Sequence, residues 1–231
     1  MDKAVAELGC APEDCLGPTD FIDSDHPMVV ALSARAVAGL SDDRARAVAL
    51  YGAVRDEVRY DPYRIEHSRG GFRASRCLET GQGFCITKAV LLAAAGRAAG
   101  IPSRLGFADV RNHLTTAKLR ETMGTDLFVF HGYTEMHLDG RWVKATPAFN
   151  LSLCEKFGVK PLEFDGVTDS VFHPLDTAGR RHMEYVQDRG SYADLPYADI
   201  FAAWEQVYGS DFAGRDEDGD FGADAEAERD G

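Results

Sequence analysis

The sequence has few basic residues, few cysteines and no long apolar run, and each shortage excludes a class of protein. Of its 231 residues, 25 are Lys or Arg and 38 are Asp or Glu, for a formal net charge of -13. This acidity repels a phosphate backbone, so nucleic acid is not an expected partner. No segment approaches the roughly 18 apolar residues of a membrane span, and the first residues do not resemble a secretory signal peptide. We therefore expect a cytoplasmic protein with no membrane partner.

The cysteines are too few and too scattered to suggest a disulfide framework. There are five, an odd number, which fits a reducing compartment. Cys10 and Cys15 are close in sequence but lack a second pair of ligands, since the nearest histidine, His26, stands alone. We therefore expect no metal site.

The composition is that of a folded chain with an acidic end. It is 45% hydrophobic and 10% aromatic, enough apolar material for one core. Residues 1–24 are interpreted as a lead-in and residues 25–212 as one domain that includes a C-terminal helical extension. Residues 213–231 are strongly acidic and nearly devoid of apolar side chains, which predicts a solvated, disordered tail.

One cysteine stands where a helix is predicted to begin. The stretch GQGFCITKAVLLAAAGRAAGIPSR, residues 81–104, places Cys85 after a glycine-rich turn and ahead of an Ala- and Leu-rich run that stops near Gly100 and Pro102. The unpaired N–H groups and dipole of a helix N-terminus favour an anion. We therefore expect Cys85 to be a nucleophile with a lowered pKa, its own N–H contributing to an oxyanion hole.

A nucleophilic thiol needs a base, and two histidines on one predicted strand compete for that role. LFVFHGYTEMHL alternates in hydrophobicity, and the Asp139-Gly140 turn and the run RWVKATPAF complete a predicted hairpin. The period of two places His131 and His137 on the same face. Periodicity alone does not choose between them.

Taken together, these motifs resemble the transglutaminase-like superfamily of papain-related cysteine enzymes. The carrying residues are GFC, the helix run that ends in RAAGIPSR, and HGYTEMHLDGRWVKATP, over about residues 45–150. The resemblance implies that Cys85 is the nucleophile and His131 the base. The segment after the hairpin resembles C-terminal extensions of bacterial members of the superfamily.

The chain departs from the family pattern at the third catalytic position. Thr146 stands where the family usually has an aspartate, and Tyr133 stands where it usually has a tryptophan. The resemblance therefore makes Thr146 the expected third member of the triad, with nearby Asn150 as the alternative, because either can accept the imidazole N–H. Tyr60 and Gln82 are candidates for a second oxyanion donor and for substrate binding.

The resemblance implies an α+β fold in which N-terminal helices and the nucleophile helix pack on an antiparallel sheet. It also implies acyl transfer through a thioester on Cys85, with no metal or organic cofactor. The first hypothesis is an amidohydrolase or peptidase acting on a peptide or amide substrate. The alternatives are a transferase that uses an amine acceptor, as in protein crosslinking or amide biosynthesis, and a binding module that has lost catalysis.

Overall fold

A helix buried along almost its whole length, α4 (Cys85–Ala98), lies at the centre of the computed structural model. The model describes residues 10–113, 115–210, 212 and 219–230. The run from Cys85 to Arg97 is buried on every face, which explains why its apolar residues show no amphipathic pattern. It packs against α1 (Pro27–Ala36), α2 (Asp43–Glu57) and α3 (Ala74–Thr80).

Four antiparallel strands form the sheet on which α4 packs. They are β3 (Ser103–Asn112), β4 (Leu127–Leu138), β5 (Arg141–Ala145) and β6 (Met183–Tyr192), in the order β5-β4-β3-β6. Asp139 and Gly140 both have positive φ in the turn between β4 and β5, as an Asp-Gly hairpin requires. The predicted α+β class, with the cysteine-bearing helix on an antiparallel sheet, is confirmed.

A short parallel pair of strands joins the N-terminal part of the chain to the start of α4. Strand β1 (Arg59–Tyr60) pairs with β2 (Gln82–Gly83), and Tyr60 is aligned with Gly83, two residues before Cys85. The remaining helices are α5 (Ala117–Met123), α6 (Leu151–Phe157), α7 (Tyr197–Tyr208) and α8 (Phe221–Asp230).

A buried lysine fixes α4 against the end of α2. Lys88 Nζ donates to the carbonyl oxygens of Arg55 at 2.9 Å and Val58 at 2.6 Å, where α2 ends. A cation is favoured at this end of a helix. Burial nevertheless lowers the pKa of Lys88 to about 7. The contact lies one turn from Cys85 and limits how α4 can rotate.

The acidic end is more ordered than its composition predicts. Residues 213–218 lie outside the described residues, but Phe221–Asp230 form α8, and Phe221 and Ala225 are buried. The Phe221 ring lies 5.3 Å from that of Tyr63 and 5.6 Å from that of Phe157. The prediction of a disordered tail is therefore wrong for this part, because one aromatic and one small apolar side chain suffice to dock a helix.

Acidic side chains of α8 and the segment before it also have defined partners. Asp224 accepts the Tyr63 hydroxyl at 2.9 Å, and Glu228 accepts the N–H of Ala117 at 2.8 Å, at the start of α5. Asp220 pairs with Arg59 at 3.4 Å. Acidic side chains that the sequence predicts to be solvated thus partly form hydrogen bonds and an ion pair with the rest of the domain.

The described part of the N-terminal lead-in, residues 10–24, contributes to the same core. Cys15, Phe21 and Ile22 are buried, and the Phe21 ring stacks on Tyr197 of α7 at 5.6 Å. A disulfide joins Cys10 to Cys15 across the 3-10 turn Pro12–Cys15. The sequence predicts no disulfide framework and does not indicate this single bridge, which forms because the turn brings two near neighbours together. The cysteines therefore do not support a reducing compartment. No described helix is long and apolar enough to cross a membrane.

Replacing Phe221 with alanine should destabilise the protein by about 3 kcal/mol, since a buried aromatic ring leaves a cavity among other rings. For a domain of this size the melting temperature should fall by roughly 5–10 °C. Thermal unfolding followed by circular dichroism measures the shift. Ala227→Ser, at an exposed position of the same helix, is the control. Equal melting of Phe221→Ala and wild type would contradict the described packing of α8.

Candidate active site

The sulfur of Cys85 lies at the N-terminus of α4 and is approached by backbone donors from two elements. The N–H groups of Cys85 and Ile86 belong to the first turn of the helix, and that of Gly132 comes from β4. Phe84 precedes the helix in an extended conformation, and its N–H donates to Thr87 Oγ1 at 3.0 Å. This contact closes the first turn, so the helix begins at Cys85 as the sequence predicts.

Burial dominates the acidity of this thiol. It raises the pKa of Cys85 to about 11, and hydrogen bonds from Gly132, Ile86 and Cys85 itself oppose the rise only in part. The expected lowering of the pKa by the helix terminus is therefore wrong in its net direction. Cys85 is 8% exposed, against 2% for Cys77 and 1% for Cys154. The sulfur is a neutral thiol near neutral pH.

His131 and Cys85 line one cavity of about 50 Å³. The imidazole is buried, and this burial lowers its pKa to about 4, so the ring is neutral at neutral pH. The centre of its ring lies 5.3 Å from the centre of the Phe172 ring. Nε2 is buried without a hydrogen-bond partner among the described residues, which leaves one ring nitrogen available for a proton or a polar neighbour.

His137 lies elsewhere on the same strand. Six residues separate it from His131, or about 20 Å along a β-strand. Its ring contacts Trp142 at 5.2 Å, next to the hairpin turn, and its N–H donates to Pro102 O at 2.8 Å. The cavity of Cys85 is not lined by His137.

Thr146 and Asn150 differ in whether their side chains are engaged. Thr146 directly follows β5 and is buried, and its Oγ1 has no hydrogen-bond partner among the described residues. Asn150 Oδ1 accepts the N–H of Tyr60 at 3.0 Å, and its Nδ2 donates to Ser152 Oγ at 2.7 Å. Asn150 therefore holds the backbone of Tyr60, whereas the hydroxyl of Thr146 is uncommitted.

The two candidate binding residues lie in different places. Tyr60 lines the cavity of Cys85, and burial followed by the charge on Cys85 raises its pKa well above the ordinary value. Gln82 accepts a hydrogen bond from Arg59 at 2.9 Å and lines a separate depression of about 390 Å³. The structure thus brings Tyr60 to the cysteine but leaves Gln82 outside the cavity.

A model of the transglutaminase-like superfamily matches residues 30–147, just over half of the chain. The chain belongs to the transglutaminase-like superfamily. The match includes Cys85, His131 and Thr146 and ends before α6. No curated protein matches the chain.

Two solved structures are similar to this transglutaminase-like chain at low sequence identity. A proposed cysteine protease from Cytophaga hutchinsonii is 16% identical, with a TM-score of 0.46, over 81% of this chain and 56% of that protein. A proposed protease from Parabacteroides distasonis is 15% identical, with a TM-score of 0.37, over 58% of this chain and 26% of that protein. This chain thus spans about half and about a quarter of the lengths of the two proteins.

Much of the cavity wall comes from residues that the sequence motifs do not mark. Trp204, Tyr208 and Phe212 line it from α7 and the segment that follows, and Leu119 and Met123 line it from α5. The sequence predicts a C-terminal helical extension but does not indicate where its helix docks. None of the lining side chains carries a permanent charge. The described residues contain no group of three side chains able to hold a metal ion.

Helix α7 also forms hydrogen bonds with β4, the strand that carries His131. The Tyr208 hydroxyl accepts the N–H of Val129 at 2.7 Å and donates to Leu127 O at 3.2 Å. Trp204 Nε1 donates to Val129 O at 3.4 Å. Part of the site in this transglutaminase-like protein is therefore held by a helix outside the family match.

Alkylation of Cys85 by iodoacetamide should accelerate continuously from about pH 6 to about pH 10, by up to about tenfold per unit, because the raised pKa keeps the thiolate scarce throughout. Peptide mapping of limited labelling measures the rate at Cys85. Cys85→Ser gives the background from Cys77 and Cys154, whose pKa values burial also raises to about 11. A rate plateau between about pH 6 and 8, as a thiolate–imidazolium pair would give, would contradict a neutral pair.

Proposed function

We propose that this chain is a cysteine-dependent acyl-transfer enzyme that hydrolyses amide bonds through a thioester on Cys85. The observation that carries the proposal is that a thiol at a helix N-terminus and a neutral imidazole line the same small cavity. A nucleophile beside a base is the minimum arrangement for covalent acyl transfer. Membership of the transglutaminase-like superfamily supports the same chemistry.

In the first step His131 acts as the general base. The thiol pKa of about 11 and the imidazole pKa of about 4 favour the neutral pair in the free protein. The proton of Cys85 therefore moves to His131 as the sulfur attacks the substrate carbonyl carbon, and not before. The S–C bond forms, the carbonyl π electrons move to oxygen, and the imidazole becomes imidazolium.

Backbone donors are available for the oxygen that becomes negative. The N–H groups at the start of α4 and the N–H of Gly132 converge near the sulfur, and the hydroxyl of Tyr60 belongs to the same cavity. Donors fixed by a helix and a strand need no reorganisation as charge develops. Gln82, which lies outside the cavity, is not part of the proposed site.

Thr146 is proposed to orient the imidazole. Two buried groups support this role, because His131 Nε2 and Thr146 Oγ1 both lack a hydrogen-bond partner among the described residues. Such atoms are rare in folded proteins and are costly unless they find partners. A hydroxyl can fix the tautomer of the ring without adding the negative charge of an aspartate. Asn150 is the weaker candidate, since both ends of its amide are engaged.

The remaining steps return the site to its neutral state. The imidazolium donates its proton to the leaving amine as the C–N bond breaks, which leaves an acyl thioester on Cys85 and a neutral His131. Water then attacks the thioester with His131 as base, and the thiol departs with the proton. Because the cavity wall has aromatic and aliphatic side chains and no permanent charge, an apolar acyl group is the proposed substrate class.

The proposal is tested by intact-mass spectrometry after incubation with peptide amides and thioesters that carry apolar acyl groups. Wild-type protein should acquire the acyl mass, and peptide mapping should locate it at Cys85. His131→Asn should lower the acylation rate by orders of magnitude, whereas His137→Asn, on the same strand but about 20 Å away, should match wild type. Thr146→Val should cause a smaller loss than His131→Asn, since it removes an orienting group and not the base.

Two results would decide against parts of this function. If no substrate acylates Cys85, the protein is better described as a binding module of the same fold. If the acyl mass is lost only when a primary amine is added, the enzyme is an acyltransferase with an amine acceptor and not a hydrolase. Equal loss of activity in His131→Asn and His137→Asn would remove the assignment of His131.

A further inference from the structure

The strand that carries His131 is irregular immediately before it. Ala108 of β3 pairs with His131, but Val110 pairs with Phe128, so a single residue of β3, Asp109, lies opposite two residues of β4. This is a β-bulge. Bulges bend a strand and redirect the side chains that follow, and they are common beside active sites.

The second bulge residue, Phe130, has an unusual backbone conformation. Its φ is 56°, in the left-handed region that bulky residues rarely adopt. Such a conformation persists only where the surroundings impose it, and it is concentrated at functional sites. Phe130 and His131 both line the cavity of Cys85, although neighbouring residues of a regular strand face opposite sides. The next residue, Gly132, directs its N–H at the Cys85 sulfur.

Asp109 holds Phe130 in this conformation. Its Oδ1 accepts the N–H of Phe130 at 3.1 Å. Arg189 of β6 donates two hydrogen bonds to the same carboxylate, from Nε to Oδ1 at 2.9 Å and from Nη2 to Oδ2 at 2.7 Å. The guanidinium also lies 5.0 Å from the centre of the Phe130 ring. Both the backbone and the ring of Phe130 therefore contact one ion pair, whose carboxylate is buried.

We propose that Asp109 and Arg189 are a positioning pair that sets the bulge at Phe130 and thereby aims His131 and the Gly132 N–H at Cys85. The inference rests on the proposed function in that His131 is taken as the base. Neither Asp109 nor Arg189 lines the cavity of Cys85. Both act through the backbone of β4, and neither takes part in proton transfer.

A second ion pair in the same sheet, between β3 and β4, provides a matched control. Arg104 of β3 donates to Glu135 of β4 at 2.6 Å, and Ser191 of β6 donates to the same carboxylate oxygen at 2.8 Å. This pair is also largely buried, but no residue beside it has a positive φ. Its loss should destabilise the sheet to a similar degree without moving His131.

The test compares Asp109→Ala with Glu135→Ala in the full-length chain. Two readouts are used: the rate of Cys85 acylation by an apolar thioester at fixed pH, and the NMR shifts of the His131 imidazole. Asp109→Ala should slow acylation at least tenfold and move the His131 resonances, whereas Glu135→Ala should change the acylation rate less than twofold. Asp109→Asn keeps an oxygen for the Phe130 N–H but loses the ion pair, so it should give an intermediate rate and serves if the alanine variant does not fold.

A compensating substitution separates positioning from general stability. Glycine adopts a positive φ without strain, so in a Phe130→Gly background the further change Asp109→Ala should slow acylation less than threefold. The proposal would be overturned if Asp109→Ala lowered the acylation rate equally in the wild-type and Phe130→Gly backgrounds. It would also be overturned if Asp109→Ala and Glu135→Ala lowered that rate equally. If wild-type Cys85 is not acylated, or if His131→Asn is acylated at the wild-type rate, the proposed function fails, but a shift of the His131 resonances in Asp109→Ala would still support positioning.

Discussion

The close packing of β4 on the first turn of α4 is the contact on which the rest of the site depends. Gly132 makes it possible, because a Cβ at this position would lie 3.0 Å from Ile86 Cα and 3.3 Å from Phe107 Cε1. At that separation the N–H of Gly132 reaches the Cys85 sulfur, and His131, one residue earlier, belongs to the same cavity. Lys88 holds the helix from the other side, and Asp109 and α7 hold the strand. The site is therefore a junction between two rigid elements, which is how a catalytic geometry is kept within small tolerances.

The same packing determines the charge state of the site. Burial removes the thiol and the imidazole from water and so disfavours the charged form of each. It therefore raises the pKa of Cys85 and lowers the pKa of His131. In the proposed orienting role Thr146 would not oppose this effect, since a hydroxyl cannot stabilise an imidazolium by charge. We therefore expect Cys85 of the free protein to react slowly with alkylating reagents. When a substrate carbonyl is bound, the oxyanion donors already in place stabilise the charge that develops on its oxygen, and this stabilisation makes proton transfer to His131 favourable.

The local parts of this architecture could be predicted from the sequence, and the non-local parts could not. The start of α4 at Cys85 and the Asp139-Gly140 hairpin follow from short-range patterns and agree with the structure. The walls formed by Trp204 and Tyr208 depend on where a distant helix docks, which no periodicity records. The sequence predicts a lowered pKa for Cys85, whereas burial raises it, because sequence patterns indicate a helix terminus but not the depth of burial. The burial of Phe221 is not predicted, because acidic residues dominate the composition of the segment around it.

The most direct test of the account is the rate at which Cys85 is acylated by an apolar thioester in Gly132→Ala. The added methyl group must separate β4 from α4 by a few tenths of an ångström, and so move the N–H and the imidazole away from the sulfur. Gly52→Ala, in α2 with no atom within 4 Å of the new Cβ, is the control. The account predicts at least a tenfold slower acylation in Gly132→Ala, with a cooperative unfolding transition retained, and no change in Gly52→Ala. Wild-type acylation by folded Gly132→Ala would contradict it.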